Sequence, residues 1–273
     1  MKKYFFSVVI PTLNEENYLP NILHDLTRQT EKNFEVIVVN GPSKDKTSQK
    51  AMEFATILPI RLFQIKKGNV SMQRNLGAKK AQGRYLIFLD ADCRVYPSFI
   101  KKLKENIRKQ PGLLFIPTLI PDDKTAKNAL IFKIINFIVD ASQSFDKPWS
   151  AGGSIFVEKT LFSLTGGFNE QTKLAEDHGL IQKVRVWGVK AKVLKDTKII
   201  FSLRRVRKEG QFVLLYKYLL ASVQFIISGE TKTSIIAYEM GGDRYDMRKE
   251  KLAKKYQTQK INRIMQTVSS FLN

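Results

Sequence analysis

The sequence predicts an α/β fold in which a mostly parallel sheet is flanked by helices, followed by a C-terminal helical extension. Short apolar runs rich in β-branched and aromatic residues alternate with segments of helical periodicity, which is typical of consecutive βαβ units. Three of these runs also end in polar side chains. The carboxyl ends of parallel strands are where ligands bind in such sheets, so the pattern predicts a binding crevice as well as a fold.

Four apolar runs in the first 90 residues predict the first four strands. These are Phe5–Ile10, Phe34–Val39, Ile60–Ile65 and Tyr85–Leu89. After the first strand, apolar residues recur at the spacing i, i+3, i+4 and i+7, which indicates an amphipathic helix. Ser43 and Ser71 are predicted to be the N-caps of the two helices that come next.

The second half of the chain continues with elements of the same kind. In order, they are a helix with Ile100, Leu103 and Ile107 on one face, a strand at Leu113–Ile116, a helix at Asn128–Val139, a Gly-rich bend at 148–154 that enters a strand, a helix from Glu176 to Trp187, and two short strands at Lys192–Leu194 and Lys198–Phe201.

The composition limits the classes of partner and compartment. The 273 residues include 46 basic and 25 acidic side chains, a net charge of +21, which favours an anionic partner. Cys93 is the only cysteine, so neither an internal disulfide nor a cysteine zinc site is expected, which fits a reducing compartment. The chain enters a strand almost at once and has no charge-free span of membrane length. We therefore expect a cytoplasmic protein.

The polar ends of three strands carry the candidate chemistry. Asp90 and Asp92 directly follow the buried strand Tyr85–Leu89, and carboxylates at i and i+2 on an extended tip can share one hard cation that also binds phosphate oxygens. The first strand ends in the segment Thr12–Glu16, and the second in Asn40. An ordinary polar turn is the alternative for each tip taken separately, and three coinciding tips weaken it.

Several motifs together resemble the family 2 glycosyltransferases of the GT-A fold, over about residues 5–205. They occur in the order that the family has: Ser7–Glu16 (SVVIPTLNEE), Val38–Thr47 (VVNGPSKDKT), Asp90–Asp92 (DAD), Ser150–Ser154 (SAGGS), Gly166–Glu170 (GGFNE) and the pair Glu176 and Asp177. A single D-x-D motif is a weak signal, whereas this ordered set is specific.

The resemblance implies an inverting transfer of a sugar from a nucleoside-diphosphate sugar to an acceptor hydroxyl. It implies that Pro11, Thr12 and Glu15 line the nucleoside site, with Asn40 at the base. It places Asp90 near the ribose and the metal, and Asp92 on an Mg²⁺ or Mn²⁺ ion that binds the diphosphate.

The same resemblance assigns the acceptor side of the site. The bend at Gly152 and Gly153, with Trp149, approaches the sugar or the acceptor. Asp177 is the general base and is grouped with Glu176 as the catalytic pair. A positioned carboxylate can take the proton of an attacking hydroxyl, so no protein nucleophile is required. The chain accordingly offers little room for a Ser-His-Asp constellation, since it has only two histidines.

Three arginines are candidates for binding the donor's phosphate oxygens, because a guanidinium can bind them through two hydrogen bonds. They are Arg74, Arg204 and Arg205. Solvated surface charge is the alternative for each of them, and it carries about equal weight for Arg204 and Arg205.

The sequence departs from the family pattern at positions that affect specificity. Asn40 stands where the family usually has Asp, so UDP is a preferred donor nucleotide and not a required one. The Gln-x-x-Arg-Trp motif of processive members is absent, which favours the addition of a single sugar. His178 follows the catalytic pair, and whether it binds metal is left open.

Residues 1–205 are predicted to form the catalytic domain and residues 206–273 a basic amphipathic extension. The segment Gln211–Ser228 has one charge, Lys217, and suits the interface of a membrane better than a span. A lipid-linked or other glycan acceptor would then be reached at the cytoplasmic face. The alternative is that the extension packs on the catalytic domain or on a second subunit, which would make a homodimer.

Two other classes of function were weighed. A nucleotidyltransferase also uses paired carboxylates and a metal, but its Gly-rich phosphate loop and nearby lysine are missing from Pro11–Glu16. A nucleic-acid-binding protein would explain the positive charge, yet its basic residues should cluster with exposed aromatic side chains, and here they are dispersed. We therefore expect no nucleic-acid partner.

Overall fold

The computed structural model describes residues 4–123, 125–145, 148–150, 154–172, 176–204 and 207. The strands in these residues are β1 Phe6–Thr12, β2 Phe34–Asn40, β3 Ile60–Gln64, β4 Tyr85–Phe88, β5 Arg94–Val95, β6 Leu114–Pro121, β7 Phe156–Glu158 and β8 Lys192–Phe201. The helices are α1 Leu19–Thr27, α2 Thr47–Met52, α3 Val70–Lys80, α4 Phe99–Lys109, α5 Ala126–Ser142, α6 Lys159–Leu164 and α7 Glu176–Val186.

These strands form one mixed sheet in the order β3-β2-β1-β4-β7-β6-β8-β5. The first four strands are mutually parallel, as is the pair β6 and β8, whereas β7 runs antiparallel to both β4 and β6. Every residue of β1 and β2 is buried, because helices cover both faces of this part of the sheet. The predicted α/β fold with a mostly parallel sheet is confirmed.

The core consists of one apolar cluster on each face of the sheet. On one face, α1 and α4 pack their apolar stripes against β1, β2 and β4, which explains the helical periodicity of these segments. On the other face, α3, α6 and α7 pack against the alternate side chains of the same strands. The two layers fix the sheet, so the strand ends form a rigid edge.

The register brings the predicted polar tips together at that edge. Thr12 pairs with Asn40 at the carboxyl ends of β1 and β2. Val9 of β1 pairs with Phe88, so Asp90 leaves β4 beside the end of β1. The three tips therefore lie at one edge of the sheet, as the alternation of strands and helices predicts.

Three local predictions were wrong. Asn69, and not Ser71, caps α3, because its side chain accepts a hydrogen bond from the backbone N–H of Met72. Ser43 does not cap α2, since its hydroxyl donates to Asn40 instead. The two short strands expected near the end of the catalytic domain are the single strand β8, which has an irregular register opposite Pro117 and Thr118.

The predicted extension at 206–273 lies outside the described residues, apart from Arg207, and stays a prediction. None of the helices in the described part of the chain has the length and apolar character needed to cross a membrane.

Two helical glycines allow a matched test of how closely α3 packs on the sheet. A Cβ at Gly77 would lie 2.3 Å from a methyl carbon of the buried Val9, whereas a Cβ at Gly179 of α7 would have nothing within 4 Å. Gly77→Ala is therefore expected to lower the free energy of unfolding by about 1–3 kcal/mol through overpacking. Gly179→Ala, which gains only helix propensity, should leave it unchanged or raise it by about 1 kcal/mol. Urea unfolding measures both, and equal effects would contradict the close packing of α3.

Candidate active site

The ends of β1 and β2 are joined through the side chain of Asn40. Its Oδ1 accepts hydrogen bonds from the hydroxyls of Thr12 and Ser43, at 2.9 and 2.7 Å, and its Nδ2 donates to Ser48 at 2.8 Å. Asn40 is only 3% exposed. Because an amide oxygen has two lone pairs, these contacts use the acceptor capacity of Asn40 within the protein.

Gln73 of α3, which the sequence did not single out, fastens the same two strand ends. Its Nε2 donates to the backbone carbonyls of Thr12 and Val39, both at 2.7 Å. The loop after β1 is held as well, since the backbone N–H of Glu15 donates to Thr47 at 2.8 Å. The buried side of α3 includes the polar residues Ser71, Gln73 and Arg74. This helix therefore lacks the apolar periodicity that would have assigned Gln73 to a buried position from the sequence.

Arg74, also on α3, connects the end of β4 to the start of α7. One of its Nη atoms lies 2.7 Å from Asp90 and the other 2.5 Å from Glu176, and its guanidinium lies over the ring of Phe168. Arg74 is 1% exposed, so this is a buried cation between two carboxylates. The residue predicted to bind phosphate therefore lies in the site but contacts acids of the protein.

The charges around Arg74 shift the acid–base properties of the group. Burial works against the charged guanidinium, but Asp90, Glu176 and Asp177 outweigh it and raise the pKa of Arg74. Burial also raises the pKa of Glu176, and the nearby carboxylates of Asp177 and Asp90 add to the rise, although Arg74 opposes it. Arg74 thus offsets part of the effect of burial on Glu176, at a place where burial disfavours charge.

Arg204 bridges a second pair of acids at the same edge. Its two Nη atoms donate to the two carboxylate oxygens of Glu15 at 2.7 and 2.6 Å, and its Nε lies 2.7 Å from Oδ2 of Asp92. The guanidinium also lies 4.5 Å from the ring centre of Tyr18. The structure thus brings Glu15, Asp92 and Arg204 together, as residues predicted for the donor site.

Asp177 is a buried carboxylate with a partner on each oxygen. The hydroxyl of Ser150 donates to Oδ2 at 2.6 Å, and Nδ1 of His178 lies 3.0 Å from Oδ1. Burial alone would raise the pKa of Asp177, but the contacts with His178, Ser150 and Arg74 lower it well below its ordinary value. The carboxylate is therefore ionised and held in one orientation, and the same contacts make it a weaker base than an ordinary aspartate.

The structure brings a serine, an aspartate and a histidine together where none was expected from the sequence. The order of contacts differs from that of a serine nucleophile, because Ser150 donates to Asp177 and not to His178. The aspartate is the central group. The signal in the sequence was the SAGGS motif combined with the Glu-Asp-His run, which sequence reasoning did not connect.

The other predicted site residues are placed as follows. Trp149 lies beside His178, with the two ring centres 5.3 Å apart. Pro11 is buried in β1 and pairs with Val39 of β2. Gly152, Gly153 and Arg205 lie outside the described residues.

The two carboxylates that follow β4 suit a divalent cation that is bound together with a phosphate group. Asp90 and Asp92 offer the hard oxygen ligands that Mg²⁺ and Mn²⁺ prefer. In the described residues, no group of three or more His, Cys, Asp and Glu side chains could hold a metal ion by itself. Because Mg²⁺ sites commonly combine one or two carboxylates with substrate phosphates and water, this donor set fits a metal shared with a diphosphate.

The fold and the acidic edge define the class of the protein as a GT-A-type transferase domain. Residues 7–154 match the family model described as glycosyl transferase family 2. Because the match covers more than half of the chain, the chain belongs to glycosyl transferase family 2, and the predicted resemblance is confirmed.

Two bacterial relatives have names that refer to teichoic acid or to poly(ribitol-phosphate). The chain is 29% identical over 215 residues to "Minor teichoic acid biosynthesis protein GgaB" of Bacillus subtilis, covering 76% of this chain and 23% of that protein. It is 34% identical over 211 residues to "Poly(ribitol-phosphate) beta-N-acetylglucosaminyltransferase TarS" of Staphylococcus aureus, covering 73% of this chain and 36% of the relative. The chain thus spans a minor part of the length of both.

Solved structures show the same fold. Staphylococcus aureus TarS 1-349 in complex with UDP-GlcNAc superposes with a TM-score of 0.60 at 21% identity, covering 73% of this chain and 58% of the other. The mannosyltransferase PcManGT from Pyrobaculum calidifontis, in complex with GDP-Man and Mn²⁺, gives a TM-score of 0.66 at 17% identity, covering 84% and 66%.

Removing Arg74 should destabilise the protein in a pH-dependent way. Arg74→Gln leaves Asp90 and Glu176 without their cation, and breaking a buried ion pair in this way costs about 3 kcal/mol or more. The pKa of Glu176 then rises further, so its protonation relieves the strain at low pH. The loss of unfolding free energy relative to the unaltered protein is expected to shrink between pH 8 and pH 5, as measured by urea unfolding.

Arg207→Gln is the matched control for this substitution. Arg207 also contacts one carboxylate, Asp122 at 2.7 Å, but its side chain is 55% exposed. Exposed ion pairs contribute at most about 1 kcal/mol, so this variant should stay close to the unaltered protein at every pH. A pH-independent loss in Arg74→Gln would show that Arg74 acts through packing and not through charge.

Proposed function

We propose that this chain is an inverting, metal-dependent glycosyltransferase that moves one sugar from a UDP-sugar to a hydroxyl of a cell-envelope glycan. The observation that carries the proposal is the ionised, oriented carboxylate of Asp177, which Glu176 and Arg74 connect to the Asp90 tip. A base and a diphosphate-binding edge are thereby held on one rigid frame, as a direct displacement requires. Membership of glycosyl transferase family 2 supports this reading.

The donor lies along the carboxyl ends of β1, β2 and β4. Pro11, Thr12 and Glu15 line the nucleoside side, and Asp90 faces the ribose. Asp92, with Asp90, holds Mg²⁺ or Mn²⁺, which neutralises charge on the departing diphosphate. The relative TarS is known in complex with UDP-GlcNAc, which supports UDP as the nucleotide.

The hydrogen bonds that Asn40 makes within the protein determine which group it can offer to the nucleobase of the donor. Its amide oxygen already accepts from Thr12 and Ser43, and only one of its two N–H groups is used by Ser48. Asn40 therefore offers the base a donor and not an acceptor. A carbonyl oxygen of uracil satisfies this geometry.

The chemistry is a single displacement at the anomeric carbon. As the acceptor oxygen forms its bond to that carbon, the bond to the diphosphate breaks, the diphosphate keeps the electron pair, and Asp177 takes the hydroxyl proton. The low pKa of Asp177 keeps the carboxylate ionised near neutral pH, and a donor or acceptor that displaced Ser150 or His178 from it would restore its basicity. Glu176 is a positioning residue, since it fastens the first turn of α7 to Arg74.

The acceptor approaches past Trp149 and the bend at Gly152 and Gly153. Two relatives are named for teichoic acid synthesis or for a poly(ribitol-phosphate) acceptor, which is a polyanion. The net charge of +21 suits such an acceptor, because it raises the local concentration of an anionic polymer. We therefore place this chain in the decoration of an anionic cell-envelope glycan, with one sugar added per event.

Cytoplasmic residence at a membrane surface is part of the same proposal. It rests on the amphipathic pattern of 206–273 and on one face of α5, where Leu130, Ile134, Phe137 and Ile138 are exposed. A second subunit on these surfaces is the alternative. Flotation of the full chain with anionic vesicles at low and high salt, compared with its monodispersity without lipid, distinguishes them.

Asp177→Asn is the test of the proposed reaction. The unaltered protein with Mn²⁺ and a panel of UDP-, GDP-, CDP- and dTDP-sugars should release nucleoside diphosphate, and the variant should do so about 10²–10⁴ times more slowly through loss of proton abstraction. Donor affinity should be nearly unchanged. If donor binding collapses while the rate at saturation does not, Asp177 binds ligand and is not the base.

Two further variants separate the base from its surroundings. Asp140→Asn removes a carboxylate that contacts the exposed Lys195 outside the site, and should keep full activity. Ser150→Ala removes a hydrogen bond that lowers the pKa of Asp177, so the acid limb of the pH–rate profile should move to higher pH. If the acid limb of the pH–rate profile does not move, the ionisation that produces it is not that of Asp177.

A further inference from the structure

Arg204 contacts Asp92, the carboxylate that would bind the metal ion under the proposed function. Its Nε lies 2.7 Å from Oδ2 of Asp92, while both Nη atoms bind Glu15. The three side chains are largely withdrawn from water, with 11% of Arg204, 15% of Asp92 and 8% of Glu15 exposed. In such surroundings charges interact more strongly than at an open surface, so Arg204 already compensates part of the charge of Asp92.

A divalent cation on Asp92 would compete with Arg204 for the same carboxylate. The ion would bind the carboxylate that Arg204 now contacts, and it would lie next to a guanidinium that is always protonated. Two cations on one partly buried carboxylate repel each other. Either the metal binds weakly or Arg204 withdraws from Asp92.

We propose that Arg204 holds Asp92 until the donor arrives and is then exchanged for the divalent cation, which frees its Nε edge for the donor's diphosphate. This inference rests on the proposed function, which places the metal on Asp92. The exchange replaces one cation with another, so the carboxylate never remains buried and uncompensated. The guanidinium that leaves Asp92 can bind phosphate oxygens in the same site.

Two anchors limit the exchange to a side-chain movement. The paired contacts with Glu15 and the ring of Tyr18 keep the guanidinium in the donor site when Asp92 changes partner. The backbone is held three residues later, where the N–H of Arg207 donates to Leu203 at 2.9 Å and its side chain contacts Asp122. Arg204 therefore needs to shift by no more than a rotamer.

Arg204→Gln should change the affinities for Mn²⁺ and for UDP in opposite directions. Without nucleotide, free Mn²⁺ measured by electron paramagnetic resonance should show binding at least about fivefold tighter than to the unaltered protein, because the competing cation is gone. With saturating Mn²⁺, UDP measured by calorimetry should bind at least about fivefold more weakly, because a phosphate ligand is gone. A purely structural role for Arg204 would weaken both.

Arg207→Gln is the control, since it removes a nearby arginine whose carboxylate partner, Asp122, lies outside the site, and both affinities should stay unchanged. Mn²⁺ affinity that is equal or weaker in Arg204→Gln overturns the exchange and leaves the proposed metal site intact. If Mn²⁺ binds neither protein, with or without UDP, both the exchange and the metal-dependent part of the proposed function are wrong.

A conservative variant covers the case in which Arg204→Gln does not fold, as judged by circular dichroism and thermal unfolding. Arg204→Lys keeps the charge but cannot reach Glu15 and Asp92 together with a planar fork. Without nucleotide, Arg204→Lys should bind Mn²⁺ more tightly than the unaltered protein does. It should bind Mn²⁺ less tightly than a protein in which residue 204 makes no contact with Asp92. An affinity equal to or below that of the unaltered protein overturns the exchange.

Discussion

The ion pairs of Arg74 are the interaction on which the rest of the site depends. Arg74 is almost fully buried and holds Asp90 at the end of β4 and Glu176 at the start of α7. Asp90 and Glu176 are far apart in the chain, and the guanidinium fixes the distance between the acidic edge of the sheet and the helix that carries Asp177. Buried charge is costly, so this arrangement persists because each charge has a partner in good geometry.

Among the described residues at this edge, acids outnumber cations, and under the proposed function the metal of the donor complex would compensate the surplus. Two arginines each bridge two carboxylates, and Asp177 is stabilised separately by Ser150 and His178. Arg74 is enclosed by the protein, whereas Arg204 lies on the residues expected to meet metal and nucleoside. Arg74 therefore holds elements of the protein together, whereas Arg204 would change its contacts when a ligand binds under the proposed function.

Much of the site could be predicted from the sequence, because it lies at the ends of strands. Thr12, Asn40 and Asp90 follow apolar runs, and parallel pairing brings such ends together without any knowledge of side-chain contacts. The partners of Arg74 and Arg204, the role of Gln73 and the contact between Ser150 and Asp177 could not be predicted in this way. They join residues 16 to 189 positions apart, and local patterns carry no information about such pairs.

The sequence by itself determined the α/β class, the order of the first four strands and helices, and the edge at which the carboxylates collect, because hydrophobic periodicity and strand polarity are local properties. Tertiary structure decided which cation neutralises which acid, which oxygen of Asp177 meets Ser150, and that the acceptor oxygen of Asn40 is used within the protein. Those outcomes depend on the distances that packing sets between distant segments, and charge–charge and hydrogen-bond energies change steeply with such distances.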